Sequence, residues 1–195
     1  MSGKYPLEGI KVADFEWVAA GPFSTSYLAD YGADVLRIES TKSPDSARGN
    51  ETADGIFGML NSNKRSFQIN MKHPRALEVL TPILQWADVV AENFRPGTME
   101  RFGLDYETIK KINPRIIMVR SCVQGQTGPR GHIGGFGLHL NALGGFTAAT
   151  GWPDRPGVPP HSAYTDTIAP LAQATAIMGA IIYRERTGMT RAKEK

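Results

Sequence analysis

The chain is predicted to fold as an α/β domain, a parallel sheet flanked by helices, and three observations carry that prediction. Short apolar runs of strand length alternate with stretches of helical periodicity through the first two-thirds of the sequence. Their spacing is that of right-handed βαβ units. Composition agrees: of 195 residues, 41% are hydrophobic and 21% charged, enough for one sizeable core. Disordered, collagen-like and coiled-coil chains have other compositions.

Each element has its own signal. Ile10 to Phe15 reads as a strand that runs into the Gly21-Pro22 break. Phe23, Tyr27, Leu28 and Tyr31 then recur at helical spacing, with Gly32 as C-cap. Val35 to Ile38 is a second strand, residues 40–56 a polar loop, and Ser66 to Met71 a third strand. Pro74 is expected at the first position of a helix whose apolar face is Leu77, Leu80 and Leu84, with Pro82 inside it as a kink or a stop. Asp88 to Phe94 is a fourth strand. Asp105 should cap a helix over Tyr106 to Ile112 that Pro114 ends, and Ile116 to Ser121 is a fifth strand. Gly125 to Pro160 is rich in Gly and Pro and has little periodicity, as in a loop that builds a site above a scaffold. A last helix, from about Pro170 to Arg186, is apolar nearly all round and is expected deep in a core. Seven residues follow Gly188, too few to cover it.

Several function classes lose ground at this stage. The formal charge of +3 is small and the basic residues are scattered, so no nucleic-acid face is expected. One cysteine, Cys122, allows no internal disulfide and fits a reducing, cytoplasmic setting. His73, His132, His139 and His161 lack metal-ligand spacing, so no metal is expected. Ile168 to Tyr183 is too short and too polar for a membrane span. P-loop, Gly-x-Gly-x-x-Gly and Gly-x-Ser-x-Gly patterns are missing, which disfavours ordinary ATP, NAD and serine-hydrolase chemistry.

A succession of motifs remains. Val12-Ala-Asp-Phe-Glu-Trp-Val-Ala-Ala-Gly-Pro22, Asp30-Tyr-Gly-Ala-Asp-Val-Leu-Arg-Ile-Glu39, Asn63-Lys-Arg-Ser66 and Asn70-Met-Lys72 occur in order. Ala87-Asp-Val-Val-Ala-Glu-Asn-Phe-Arg-Pro-Gly97, Asn113-Pro-Arg-Ile-Ile117, Gly125-Gln-Thr-Gly-Pro129 and Arg184-Glu-Arg-Thr-Gly188 follow. Together, over residues 6–188, they resemble the family III CoA-transferases (CaiB/BaiF, formyl-CoA transferase-like), and specifically their N-terminal half. The resemblance implies a Rossmann-like sheet. Residues 1–195 would be the N-terminal part of the large domain, with a linker helix from about 170 and the C-terminal half absent.

It also implies a chemistry: CoA moves between carboxylic acids through an aspartyl-acyl anhydride and an aspartyl-CoA thioester. Acyl-CoA is then a substrate, with no permanently bound cofactor. The nucleophile would be Asp166, because a carboxylate that attacks a thioester can store the acyl group while CoA is exchanged. It should stay ionised, aided by the helix dipole. Read without the resemblance, Asp166 or Thr167 is more simply a helix cap. By resemblance, CoA contacts fall to Val18, Ala19 and Ala20 after the first strand. Ile69, Met71 and Lys72, with Asn93, Phe94 and Arg101, would line the adenine and phosphate end, and Arg95 could reach a phosphate. For Met71 and Phe94 the plain alternative is core packing, and for Lys72 and Arg101 a solvated charge.

Two departures bear on function. Ser40 stands where a basic residue often helps to bind CoA. Phe136 stands where the related α-methylacyl-CoA racemases have a histidine acid/base, with His139 and His132 out of register, which argues against racemisation. A racemase-like enzyme remains one alternative, and an inactive CoA-binding fragment that needs a partner chain the other. A homodimer, or a complementing C-terminal-half chain, is expected to cover the last helix. Family members continue with Lys-Gly-Gln after Arg-Thr-Gly, where this chain has Met189-Thr-Arg.

Overall fold

A computed structural model describes residues 4–40, 42–48, 51–161, 163–189, 193 and 194, without the side chains of 51–54, 193 and 194. Its strands are β1 (Lys11–Asp14), β2 (Asp34–Glu39), β3 (Arg65–Gln68), β4 (Val89–Glu92), β5 (Ile117–Arg120) and β6 (Lys193–Glu194). The helices are α1 (Ala20–Asp30), α2 (Glu51–Leu60), α3 (Ala76–Trp86), α4 (Thr98–Arg101), α5 (Tyr106–Ile112), α6 (Gly137–Leu143), α7 (Phe146–Ala149) and α8 (Thr165–Thr187).

All strand pairs are parallel, in the order β3-β2-β1-β4-β5-β6. That order reverses between β1 and β4, and in such sheets the crevice beyond the carboxyl ends at the reversal is where ligands sit. Both faces of the sheet are covered, so neighbouring strand residues feed opposite cores. Val12, Val89 and Ile117 pack on one side with Leu28 of α1 and Ile177 of α8. Ala13, Val90 and Met118 pack on the other with Leu80 and Leu84 of α3 and Ile109 of α5. Each aliphatic side chain so buried contributes about 1.5–3 kcal/mol relative to exposure.

Where a local signal dominates, the expected boundaries hold. Gly32 (φ 98°) follows α1 in the left-handed region; its N–H reaches the Ala29 carbonyl and that of Ala33 reaches Leu28, which together close the helix. Asp105 caps α5, accepting the Thr108 N–H at 3.0 Å.

Elsewhere the structure corrects the expectation. Residues 51–56 are helical, as the start of α2. Pro74 precedes the N-cap Arg75 of α3, while Pro82 does lie inside that helix. The Gly/Pro-rich stretch contains α6 and α7. β6 adds a strand after the last helix, because its backbone pairs with Val119 and Arg120 of β5.

α8 begins at Thr165, so Pro170 lies within it and neither Asp166 nor Thr167 caps it: the N-cap is Tyr164. Starting there, α8 has 23 residues and is long and apolar enough by composition to cross a membrane. It is two-faced, though, and not buried all round. Gln173, Ala174, Ile177, Ala180, Ile181 and Arg184 are buried, whereas Leu171 and Ile182 are 54% and 51% exposed. The buried polar members have partners: Arg184 pairs with Asp88 at 2.8 Å and bonds the carbonyls of Asp88 and Arg115. α8 packs along α1.

Candidate functional site

A cavity of about 300 Å³ opens at the carboxyl ends of β1 to β4. Its walls come from the ends of those strands and the segments that follow them. Phe15 and Trp17 come from the loop after β1; Ser40, Lys42 and Ser43 follow Ile38 of β2. Asn70, Met71 and Lys72 follow β3, and Phe94, Thr98 and Phe102 follow β4. Trp17 and Phe94 face each other edge to face across the reversal point, with ring centroids 5.7 Å apart. Such an edge-to-face aromatic pair gives the crevice an apolar wall. Lys42 and Lys72 are exposed at the rim, where they can meet phosphate without being desolvated.

The residues expected at this end separate into groups. Met71, Lys72 and Phe94 line the cavity. Ile69 packs against the core beneath it. Asn93 braces the wall: its Oδ1 accepts the Trp17 N–H and its Nδ2 donates to the Trp17 carbonyl, both at 2.8 Å. Gly21 makes room for that brace, since a β-carbon there would stand 2.7 Å from Asn93 Nδ2. Arg101 donates to Thr98 Oγ1 at 2.9 Å, one residue behind the lining. Arg95 lies against Gly134 and is not among the cavity's lining residues. Val18 and Ala19 form the turn into α1 and Ala20 is its first residue; none of the three is among the cavity's lining residues. Sequence reasoning missed Lys42, Ser43 and Asn70 as well as Trp17, Thr98 and Phe102, and the last three lie within three residues of a named position.

Asp166 occupies the first turn of α8, half-buried. The start of α8 is docked on α6. Thr165 donates through its N–H to Asn141 Oδ1 (3.2 Å) and through its hydroxyl to the Gly137 carbonyl (2.9 Å). The Asp166 carboxylate takes the Gly137 N–H and lies over that glycine, where a β-carbon would be 2.6 Å from both oxygens. Burial pushes the Asp166 carboxyl up from its ordinary value, and the Gly137 N–H draws it back. This is opposite in direction to the dipole argument. The carboxylate turns toward α6 and loses water, and that desolvation outweighs the favourable dipole of the turn it sits in. Among the described residues no cation pairs with Asp166.

The cavity and the carboxylate are separate features, tied through the loop after β1. Gln173 lies two turns beyond Asp166 on the same face of α8, about 10 Å along the axis. Its Nε2 donates to Glu16 Oε1 at 2.5 Å.

Comparison with known proteins decides what this frame is. The family described as CoA-transferase family III matches residues 7–192. The chain belongs to that family. It is similar to the succinyl-CoA–L-malate CoA-transferase beta subunit of Chloroflexus aurantiacus (38% identity over 94% of this chain and 47% of that protein). It is also similar to mouse succinyl-CoA:glutarate CoA-transferase (37%, 94% and 43%). A crystal structure of a CaiB/BaiF family protein from Brucella suis superposes with a TM-score of 0.92 at 32% identity, covering 98% of this chain and 53% of that one. The chain spans about half the length of the relatives it matches.

Within a family III frame, the two departures seen in the sequence acquire positions. Ser40 lines the cavity without a charge, and Lys42 supplies a cation two residues later. Phe136 is 65% exposed, and His139 is engaged in its own helix, with Nδ1 accepting the Phe136 N–H at 3.1 Å.

Proposed function

We propose that this chain supplies the CoA-binding cleft and the acyl-carrying carboxylate of a CoA-transferase. The observation that carries the reading is the state of Asp166: half-buried, held by one backbone donor, and with no cation spent on it among the described residues. A carboxylate so placed is raised in energy by lost hydration, and its nucleophilicity rises with it.

The reaction then balances without an added oxidant or cofactor. An Asp166 oxygen attacks the thioester carbonyl, the C–S bond breaks, and CoA leaves as thiolate. The thiolate attacks the Asp166 carbonyl carbon and releases the donor acid as carboxylate, leaving an aspartyl-CoA thioester. The acceptor carboxylate attacks that thioester and expels CoA thiolate again. Thiolate attack on the new acyl carbon frees the product acyl-CoA and restores Asp166. Trp17 and Phe94 would offer the adenine an apolar wall, with Lys42 and Lys72 at its phosphates.

The relatives are named for malate, glutarate and oxalate, which supports a dicarboxylic acid as one substrate. A racemase reading is disfavoured because Phe136 cannot donate a proton and His139 Nδ1 is already an acceptor. Because relatives are about twice as long, turnover is expected from an assembly, either a homodimer or a chain complemented by a C-terminal half.

The test is trapping with hydroxylamine after incubation with succinyl-CoA, followed by peptide mass spectrometry. A hydroxamate at Asp166 is expected, together with its loss in Asp166→Ala while CoA affinity is kept. A folded chain that binds CoA but never labels Asp166, even when complemented, would reduce the proposal to a binding fragment. Deuterium exchange at Cα of a 2-methylacyl-CoA would favour the racemase.

A further inference from the structure

Three non-glycine residues among those described have left-handed backbone: Asn63, His161 and Val18. Asn and His visit that region with some ease, but a β-branched residue does not. Val18, at φ 71°, is the outlier, and it follows the cavity wall residue Trp17 directly. Something must hold it there, because strain of this kind persists only where the surroundings over-determine it.

The holding group is visible. The Val18 N–H points at the Asp45 carboxylate, 3.0 Å from Oδ2 and 3.2 Å from Oδ1. Asp45 is itself fixed from two further sides. Its Oδ1 accepts the Ala47 N–H at 2.9 Å, and its Oδ2 pairs with the Arg37 guanidinium. Both side chains of that pair are inaccessible to solvent, at 0% and 2%. Arg37 Nη1 is anchored in turn on Asn61 Oδ1 at 2.6 Å. Asp45 also stands two residues after Ser43, which lines the opposite wall. One carboxylate therefore joins the loops after β1 and β2.

We propose that Asp45 is a positioning residue for the ligand cleft. By accepting the Val18 N–H it holds Val18 in the left-handed region and sets the β1 wall against the β2 wall, with Arg37 as its buried counter-ion. The inference rests on the reading of the cleft as a CoA site. A buried ion pair is a costly way merely to stabilise a loop, and its cost makes sense where geometry is what it secures.

The test separates geometry from bulk stability. In Asp45→Ala, which removes the acceptor of the Val18 N–H, CoA affinity measured by isothermal titration is expected to fall about tenfold, the equivalent of the strain energy no longer held. Exchange of the Val18 amide, followed by NMR, should quicken in step. Adding Val18→Gly, which adopts positive φ freely, should bring affinity back to within about threefold of wild type. A role in stability alone would not be rescued at residue 18. If Asp45→Ala does not fold, the pair Arg37→Met/Asp45→Leu removes this ion pair, leaving Glu39 with Arg48 and Ser66 as partners, and carries the same comparison, with and without Val18→Gly. The proposal is overturned by a folded Asp45 variant that keeps wild-type affinity and Val18 protection, or by a folded Val18→Gly double variant that fails to recover. Should the wild-type chain not bind CoA, the functional reading fails instead. The Val18 amide then decides the inference by itself: faster exchange in the variant upholds the clamp, and unchanged exchange sinks it.

Discussion

At residue 137 a β-carbon would stand 2.6 Å from each oxygen of the Asp166 carboxylate, well inside contact distance. Gly137→Ala should therefore displace Asp166, the proposed nucleophile, by about 1 Å, a misplacement that costs on the order of a hundredfold in rate. Helix α6 should survive, since alanine favours it. Single-turnover acylation measured beside circular dichroism would show slow labelling on an intact fold. The rim lysines work differently. Lys42 and Lys72 are exposed, so Lys42→Ala or Lys72→Ala should weaken CoA by only about two- to fivefold, and less as salt rises. Titration calorimetry at low and high ionic strength would read both the size of the loss and its salt dependence.

Between elements, the contact that matters most joins the loop after β1 to α8 through Glu16 and Gln173. Burial, with Asp14 beside it as a second cause, pushes the Glu16 carboxyl up to about 8 from the usual 4.5. The folded chain thus retains a proton that the unfolded chain releases anywhere between those two values. Stability must fall as pH rises through that window, since the unfolded state binds fewer protons there. Glu16→Gln keeps an acceptor for Gln173 and has no proton to lose. Its melting temperature should decline less than that of wild type between about pH 5 and pH 8, and the variant should be the more stable of the two at the upper end. Scanning calorimetry across that range checks the sign. Equal slopes in both proteins would mean that Glu16 does not stay protonated.

For the whole molecule, α8 is where fold and assembly meet. One face fills the core on the β1–β4–β5 side through Ile177, while Leu171 and Ile182 on the other face are left half in water. Ile177→Ala should cost about 2–5 kcal/mol of stability, and Leu171→Ala within about 0.5 kcal/mol of nothing. Denaturant titration of the two variants measures that contrast. A fall in stability for Leu171→Ala that grows with protein concentration would instead reveal a self-associating face.

Strand pairs such as Val12–Ala13 and Val89–Val90 announce a sheet buried on both faces, and they are found feeding its two cores. The caps at Gly32 and Asp105 were equally legible, because each is closed within a few residues. The order of motifs from Val12 to Gly188 was enough to recognise the family. Other features depend on partners distant in the chain. α6 is seven residues long and is held by Thr165, 28 positions away from Gly137. β6 exists through its pairing with β5. The Trp17 wall rests on Asn93, 76 positions away, and the left-handed Val18 on Asp45. Periodicity and capping report interactions within a turn or two, and they say nothing about contacts that loop closure brings together. The sheet and the family were therefore legible along the chain, and the shape of the cleft and the burial of Asp166 were decided only in three dimensions.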